Sequence, residues 1–252
     1  MPAPEDIALA GSLVREAGLL AEQMLRQGLT THHKTSVSDV VSAADHAAEA
    51  LIVKRLRDER PDDGLVGEEG AEHPGERTWY IDPVDGTYNF LSQLPVWCSA
   101  VALADPDGPV LGAVYHPAVD ELWLGGRGVP TTCNGVEVAP IEEDSLNQLS
   151  IVTYLHPTRL SDPHVRDPLL RIVAATATIR MLGSGSVELA AVAGSRLGLW
   201  VQIDSLPWDW LPGAALVEAA GGTAQVVIAH GHAWHLAGGR RAVAEATALL
   251  LG

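Results

Sequence analysis

Cysteine is scarce in this chain of 252 residues, and phenylalanine scarcer still: two cysteines, Cys98 and Cys133, stand beside a single phenylalanine. Both cysteines sit in strand-like contexts, which excludes a disulfide scaffold and a cysteine-based zinc cluster and makes two buried thiols the expectation. Basic residues are few as well, 16 against 32 acidic ones for a formal net charge of −16. Such a balance repels phosphate backbones and disfavours nucleic-acid binding. Long apolar runs are missing, and the start Met1–Asp6 is acidic with no apolar signal core, so the chain is expected to be cytoplasmic with no membrane role. Seven tryptophans carry most of the aromatic weight. They are expected in the core, with Trp208 and Trp210 able to shape a pocket around the acid between them. The length suits one large or two modest domains.

What is present centres on Trp79-Tyr80-Ile81-Asp82-Pro83-Val84-Asp85-Gly86-Thr87-Tyr88-Asn89-Phe90. An aromatic and apolar run reads as the end of a buried strand and leads into two carboxylates three residues apart. Pro83 fixes φ and lacks an N–H, so a turn is expected between Asp82 and Asp85, and Gly86 lets the backbone approach a ligand. Two hard-oxygen ligands converging on one point describe a Mg²⁺ or Mn²⁺ site. The amides of Gly86 and Thr87 would hold an anion if a helix begins there. Asp, Pro and Gly are also common turn formers, so an ordinary surface turn is the alternative. An acidic protein attracts phosphate esters only where bound cations invert the local sign, which again points to metal.

Along the chain, Ile7, Leu9, Leu13, Val14, Leu20 and Met24 recur at helical spacing, predicting a helix from Glu5 to about Gln27. Thr30 to Val37 reads as loop. Ser42 with Asp45 resembles a capping box before a helix from His46 to about Asp58. Leu65 to Gly67 reads as a strand that ends on Glu68 and Glu69. Trp97–Ala104, Val110–Tyr115 and Glu121–Gly125 read as an antiparallel meander. The second half alternates as α/β units do: strands at Leu149–Thr153, Thr178–Leu182 and Gly198–Ile203, helices at Val165–Ala174 and Ser186–Ala193. A further helix starts at Asp209 and stops at Gly221-Gly222, and a strand pair and a helix from Arg240 to Leu251 follow. A helix cap is the alternative role for Asp209 there. The class is therefore α/β, an α+β first half followed by an α/β second half. The boundary falls in Pro140–Asp144, dividing the chain into 1–143 and 144–252.

Asp82 to Phe90, preceded by Gly67-Glu68-Glu69 and followed by Trp208-Asp209 and Glu218-Ala219-Ala220-Gly221-Gly222, resembles the inositol monophosphatase family of magnesium-dependent, lithium-sensitive phosphatases, whose superfamily includes fructose-1,6-bisphosphatase. The resemblance begins at Asp39-Val40-Val41-Ser42-Ala43-Ala44-Asp45 and covers nearly the whole chain. It implies a layered αβαβα sandwich with the metal site between the two halves, two or three Mg²⁺ ions with Mn²⁺ as a substitute, and a homodimer. Glu68, Asp82, Asp85, the carbonyl of Val84 and Asp209 match metal ligands, Gly86 and Thr87 the phosphate-binding turn, and Asp45 with Thr87 the pair that activates water. Glu68 counts among the catalytic residues as well. Gly183-Ser184-Gly185-Ser186 matches a loop that touches the substrate's alcohol, and Asp209 counts among the substrate-binding residues as well as the metal ligands. Lys34 matches a lysine near the active site, while His32 and His33 read as loop residues.

The implied activity is hydrolysis of inositol monophosphate or a similar small polyol or sugar phosphate to alcohol and inorganic phosphate. Seven residues before Asp209, where a family glutamate binds an inositol hydroxyl, this chain has Gln202, which cannot hold a cation by charge. Histidinol phosphate, 3′-phosphoadenosine 5′-phosphate and fructose 1,6-bisphosphate are the rival substrates. A non-catalytic regulatory protein is the rival from another class.

Overall fold

The computed structural model describes residues 1–28, 31–33 and 40–252. It opens with α1 (Pro4–Gln27), the hairpin strands β1 (Thr31–His33) and β2 (Val40–Ser42), and α2 (Ala43–Glu59). Then follow β3 (Gly64–Gly67), β4 (Glu72–His73), β5 (Thr78–Asp85), α3 (Thr87–Leu91), β6 (Cys98–Asp105), β7 (Gly108–His116), β8 (Glu121–Gly126), β9 (Val129–Cys133) and β10 (Val136–Glu137). The second half comprises β11 (Ser150–Thr153), α4 (Pro163–Ala174), β12 (Thr178–Arg180), α5 (Gly185–Ala193) and β13 (Leu199–Ile203). It ends with α6 (Pro207–Ala219), β14 (Thr223–Ala229), β15 (His232–Gly238) and α7 (Arg240–Leu251).

An eight-stranded sheet runs in the order β10-β9-β8-β7-β6-β5-β3-β4 and a five-stranded sheet in the order β12-β11-β13-β15-β14. The β6-to-β10 run is the expected antiparallel meander, extended by two short strands. Helices α1 and α2 cover one face of the larger sheet, α5 and α6 fill the space between the sheets, and α4 and α7 cover the outer face of the smaller one. The order of layers is αβαβα.

Alternation explains how one strand serves two layers. In β6, Val101 and Leu103 join Trp79 and Ile81 under α1 and α2. Cys98 and Ala100 point the other way, against α5 and α6. Both faces are covered, so the strand reads as one apolar run. Each leucine or isoleucine buried in this way stabilises the fold by about 1.5–3 kcal/mol. Gly112 of β7 lets α6 come close, because a Cβ there would run into the Pro212 carbonyl. In β13, Leu199 and Val201 face the outer cluster, whereas Trp200 faces α5 and α6. Gln202 shares the Trp200 side.

Several expectations change. No turn separates Asp82 from Asp85: β5 continues through Pro83, and its register against β6 shifts between the two acids. A bulge absorbs the missing proline N–H, and the Pro83 carbonyl accepts from the Ser99 hydroxyl. Thr31–His33 pairs with Val40–Ser42 where loop was expected. The second strand of the second half stops at Arg180, short of Leu182. Cys98 is buried but Cys133 only half-buried. Among the described residues, no helix is long and apolar enough to cross a membrane.

Candidate metal centre

Strands β3 and β5 run parallel as neighbours, so their C-terminal ends emerge together at one edge of the sheet. Glu68 follows the first, and Asp82 and Asp85 belong to the end of the second. Asp209 arrives from the other half in the first turn of α6, whose N-cap is Leu206, so it is not the cap. One carboxylate oxygen from each of Asp82, Asp85 and Asp209 lies within 4.8 Å of the others. Glu68 stands beside this group, its carboxyl against that of Asp82.

The electrostatics of the cluster are one-sided. Burial, then the charges of Glu68, Asp85 and Asp209, push the Asp82 carboxyl well above its ordinary range. Burial followed by the Asp209 charge pushes Glu68 up to about 8, and burial followed by Asp85 pushes Asp209 up to about 7. Asp85 is raised by burial against the opposing pull of backbone N–H groups. Among the described residues, no lysine or arginine pairs with any of the four. The buried Asp82 Oδ1 meets no donor there. Crowded, buried carboxylates that lack a cationic partner form an all-oxygen cradle, which suits a hard divalent cation.

Asp85 also ties the halves together. Its Oδ1 accepts from Gly185 N at 3.1 Å and its Oδ2 from Ser186 N. These are the first amides of α5, so a carboxylate from the first half caps a helix of the second. Ser184 is 1 % exposed, and its hydroxyl lies between Cys98 Sγ, 3.8 Å away, and the Asp85 carboxylate. Ser184, expected as a substrate contact, is buried in this structure, and its hydroxyl supports Asp85. Gly183, with φ +87°, sends its N–H to Glu188 rather than to the cleft.

Asp45, 1 % exposed, comes from the first turn of α2. The Thr87 hydroxyl donates to the Val84 carbonyl at 3.0 Å and stands 3.5 Å from Asp45 Oδ1. Gly86 holds φ at +93°, and a Cβ there would lie 3.1 Å from Gly183 O, Ser184 Cβ and Val96 O. The structure thus gathers Asp45, Glu68, Asp82, Val84, Asp85, Gly86, Thr87 and Asp209. Gln202 lies on the α5/α6 side of β13, opposite His235 in the β15 register. The His235 ring packs on Trp210 at 5.0 Å, and burial lowers its pKa. Trp210 is itself buried against Trp200. Lys34 and Asp39 lie outside the described residues, as does the side chain of Ser42. His32 and His33 belong to the β1 backbone.

Three supporting residues went unread in the sequence. Glu188 Oε1 accepts from the amides of Leu182 and Gly183, and Oε2 from Trp200 Nε1. Burial pushes its carboxyl up to about 7. Asn89 Nδ2 donates to Val96 O at 2.8 Å and Leu182 O at 2.7 Å, bridging the halves. Glu49 accepts from Glu69 N and Ala71 N. A lone acid in the apolar helix Gly185–Ala193 was the available signal for Glu188.

Residues 4–250 match the model of the inositol monophosphatase family. The chain is 30 % identical over 222 residues to an inositol-1-monophosphatase of Bacillus subtilis, covering 85 % of this chain and 83 % of that protein. It is 32 % identical over 191 residues to a fructose-1,6-bisphosphatase/inositol-1-monophosphatase of Thermotoga maritima, covering 75 % and 72 %. Among solved structures, the extragenic suppressor protein suhB of Bartonella henselae superposes with a TM-score of 0.88 at 26 % identity, covering 98 % of each chain. With the carboxylate cluster held between its two halves, this chain belongs to the inositol monophosphatase family.

Proposed function

We propose that this protein is a Mg²⁺-dependent phosphomonoesterase that hydrolyses inositol monophosphate or a similar small polyol or sugar phosphate. The observation that carries this reading is the set of carboxylates Asp82, Asp85 and Asp209 within 4.8 Å of one another, with Asp82 Oδ1 buried and undonated. Asp82, Asp85, Glu68, the Val84 carbonyl and Asp209 would hold two or three ions, and Mn²⁺ would substitute. Bound there, divalent cations would neutralise the phosphate oxygens and supply a nucleophile from water near neutral pH.

The chain's own residues do the rest. In the relay we propose, Thr87 turns its hydroxyl from the Val84 carbonyl to Asp45, passes its proton to that carboxylate, and takes one from the attacking water. A bond forms from the water oxygen to phosphorus, the ester bond to the alcohol oxygen breaks, that oxygen takes up a proton from a second water, and Asp45 returns its proton to the hydroxide this leaves. The Gly86 and Thr87 amides are the proposed phosphate donors. Gln202, with the neutral His235 opposite, faces the alcohol. A neutral amide there suits hydroxyl groups better than an ammonium, which places polyol phosphates ahead of histidinol phosphate.

We divide the chain at 1–143 and 144–252, in the stretch between β10 and β11. A homodimer would cover the edge strand β12, where Ile179 and the neighbouring Met181 are exposed. Free cysteines fit a reducing cytoplasm. The test is Mg²⁺-dependent phosphate release from inositol 1-phosphate, fructose 1,6-bisphosphate, histidinol phosphate and 3′-phosphoadenosine 5′-phosphate. We expect the highest kcat/KM for a polyol or sugar phosphate. No release from any of them by metal-loaded protein would overturn the proposal.

A further inference from the structure

We infer that Glu49 is a positioning residue for the metal site, clamping the turn after β3 and thereby fixing Glu68. The inference rests on the proposed role of Glu68 as a metal ligand. Glu49 is 5 % exposed on α2. Its Oε2 accepts from Glu69 N at 2.9 Å and its Oε1 from Ala71 N at 3.1 Å. The Glu68 amide is tied on its other side to the Ile81 carbonyl at 3.1 Å. The ligand is therefore held between β5 and α2.

Space for the clamp is built into the sequence. A Cβ on Gly67 would run into the Glu49 carboxylate, so only glycine lets that carboxylate reach the turn. Burial of the Glu49 carboxyl is costly and raises its pKa, and the two backbone amides oppose that rise. An apolar residue would pack at the same position without fixing the turn. The helix adds a second link, because Asp45 and Glu49 are one turn apart on one face of α2. The element that carries the proposed base of the relay thus also sets the height of a metal ligand.

Glu49→Gln tests this at almost unchanged volume, since it turns an NH₂ group against one of the two amide N–H donors. The readouts are Mn²⁺ and Mg²⁺ titration calorimetry of the metal-stripped full chain, thermal unfolding of that same form, and Asp82→Asn measured alongside. We expect the Mn²⁺ Kd of Glu49→Gln to rise about tenfold, the scale of lost outer-shell support, with a smaller rise for Glu49→Asp. A lowered melting temperature with an unchanged Mn²⁺ Kd, while Asp82→Asn loses the metal, would overturn the inference and leave the site standing. Wild-type Mn²⁺ binding by Asp82→Asn would overturn the site and the inference together. If Glu49→Gln does not fold, Glu49→Asp decides: wild-type Mn²⁺ affinity in it contradicts the clamp.

Discussion

The two sheets border the same pair of helices but contribute unequally to the site. The eight-stranded half brings Glu68, Asp82, Asp85, Val84 and Thr87 from two neighbouring strands and the residues that follow them, with Asp45 from the helix packed on them. The five-stranded half brings one carboxylate, Asp209, together with backbone amides at the start of α5. Charge is thus concentrated where the scaffold is a sheet, and the partner half completes the cluster with dipoles and one acid. Such an arrangement makes the junction the sensitive part, because removing a carboxylate from the first half also removes a cap from the second.

Asp85→Asn should have the largest effect. We expect kcat to fall by more than about 100-fold, beyond the roughly 10–100-fold typical of outer-shell partners. The lost helix cap should lower the melting temperature of the metal-free protein, at about 1 kcal/mol for the cap and roughly 2–4 °C per kcal/mol for a chain of this size. Steady-state kinetics and calorimetry would read both. An intact melting temperature with lost activity would separate the ligand from the cap.

A pH titration sharpens the comparison next. Glu68 and Asp209 are raised to about 8 and about 7, and Glu188 to about 7. The folded metal-free protein therefore holds protons that the unfolded chain has already released. The stability these groups contribute is fully present below their ordinary pKa values and is lost as pH rises through about 7 to 8. The melting temperature of the metal-free protein should fall by several degrees from about pH 5 to about pH 8.5, at roughly 2–4 °C per kcal/mol. Excess Mg²⁺ should remove most of that fall, because cations replace the protons. The smallest effect belongs to the second half alone. Gln202→Glu should shift kcat/KM towards histidinol phosphate relative to a polyol phosphate by about tenfold, the scale of a charge-assisted hydrogen bond.

Sequence reading served the two halves unequally as well. Acids at strand ends, beside glycines and a proline, stand out because packing gives no reason for them, so Glu68, Asp82 and Asp85 could be picked out locally, whereas Asp209, at a helix start, was picked out only through the family resemblance. The bulge at Pro83 was not, since a proline between two acids has the same local signature in a turn as in a distorted strand. Glu49 was hidden because a glutamate on a helix ordinarily reads as a solvated charge, and only the tertiary approach of Gly67 reveals it as a clamp. The support that Ser184 gives Asp85 was hidden for a related reason: it depends on a residue about a hundred positions earlier in the chain. The layered fold was legible because the apolar runs and their spacing state it locally, whereas support of the site depends on contacts between distant segments.

The most direct test of the central claim is a crystal structure of the Mn²⁺- and phosphate-soaked protein, with anomalous scattering recorded to locate manganese. The account predicts anomalous peaks among Asp82, Asp85 and Asp209, with at least one ion also ligated by Glu68 at about 2.0–2.2 Å and phosphate alongside, by analogy with hard-cation oxygen sites. Manganese bound elsewhere, or absent from these carboxylates at saturating metal, would contradict it.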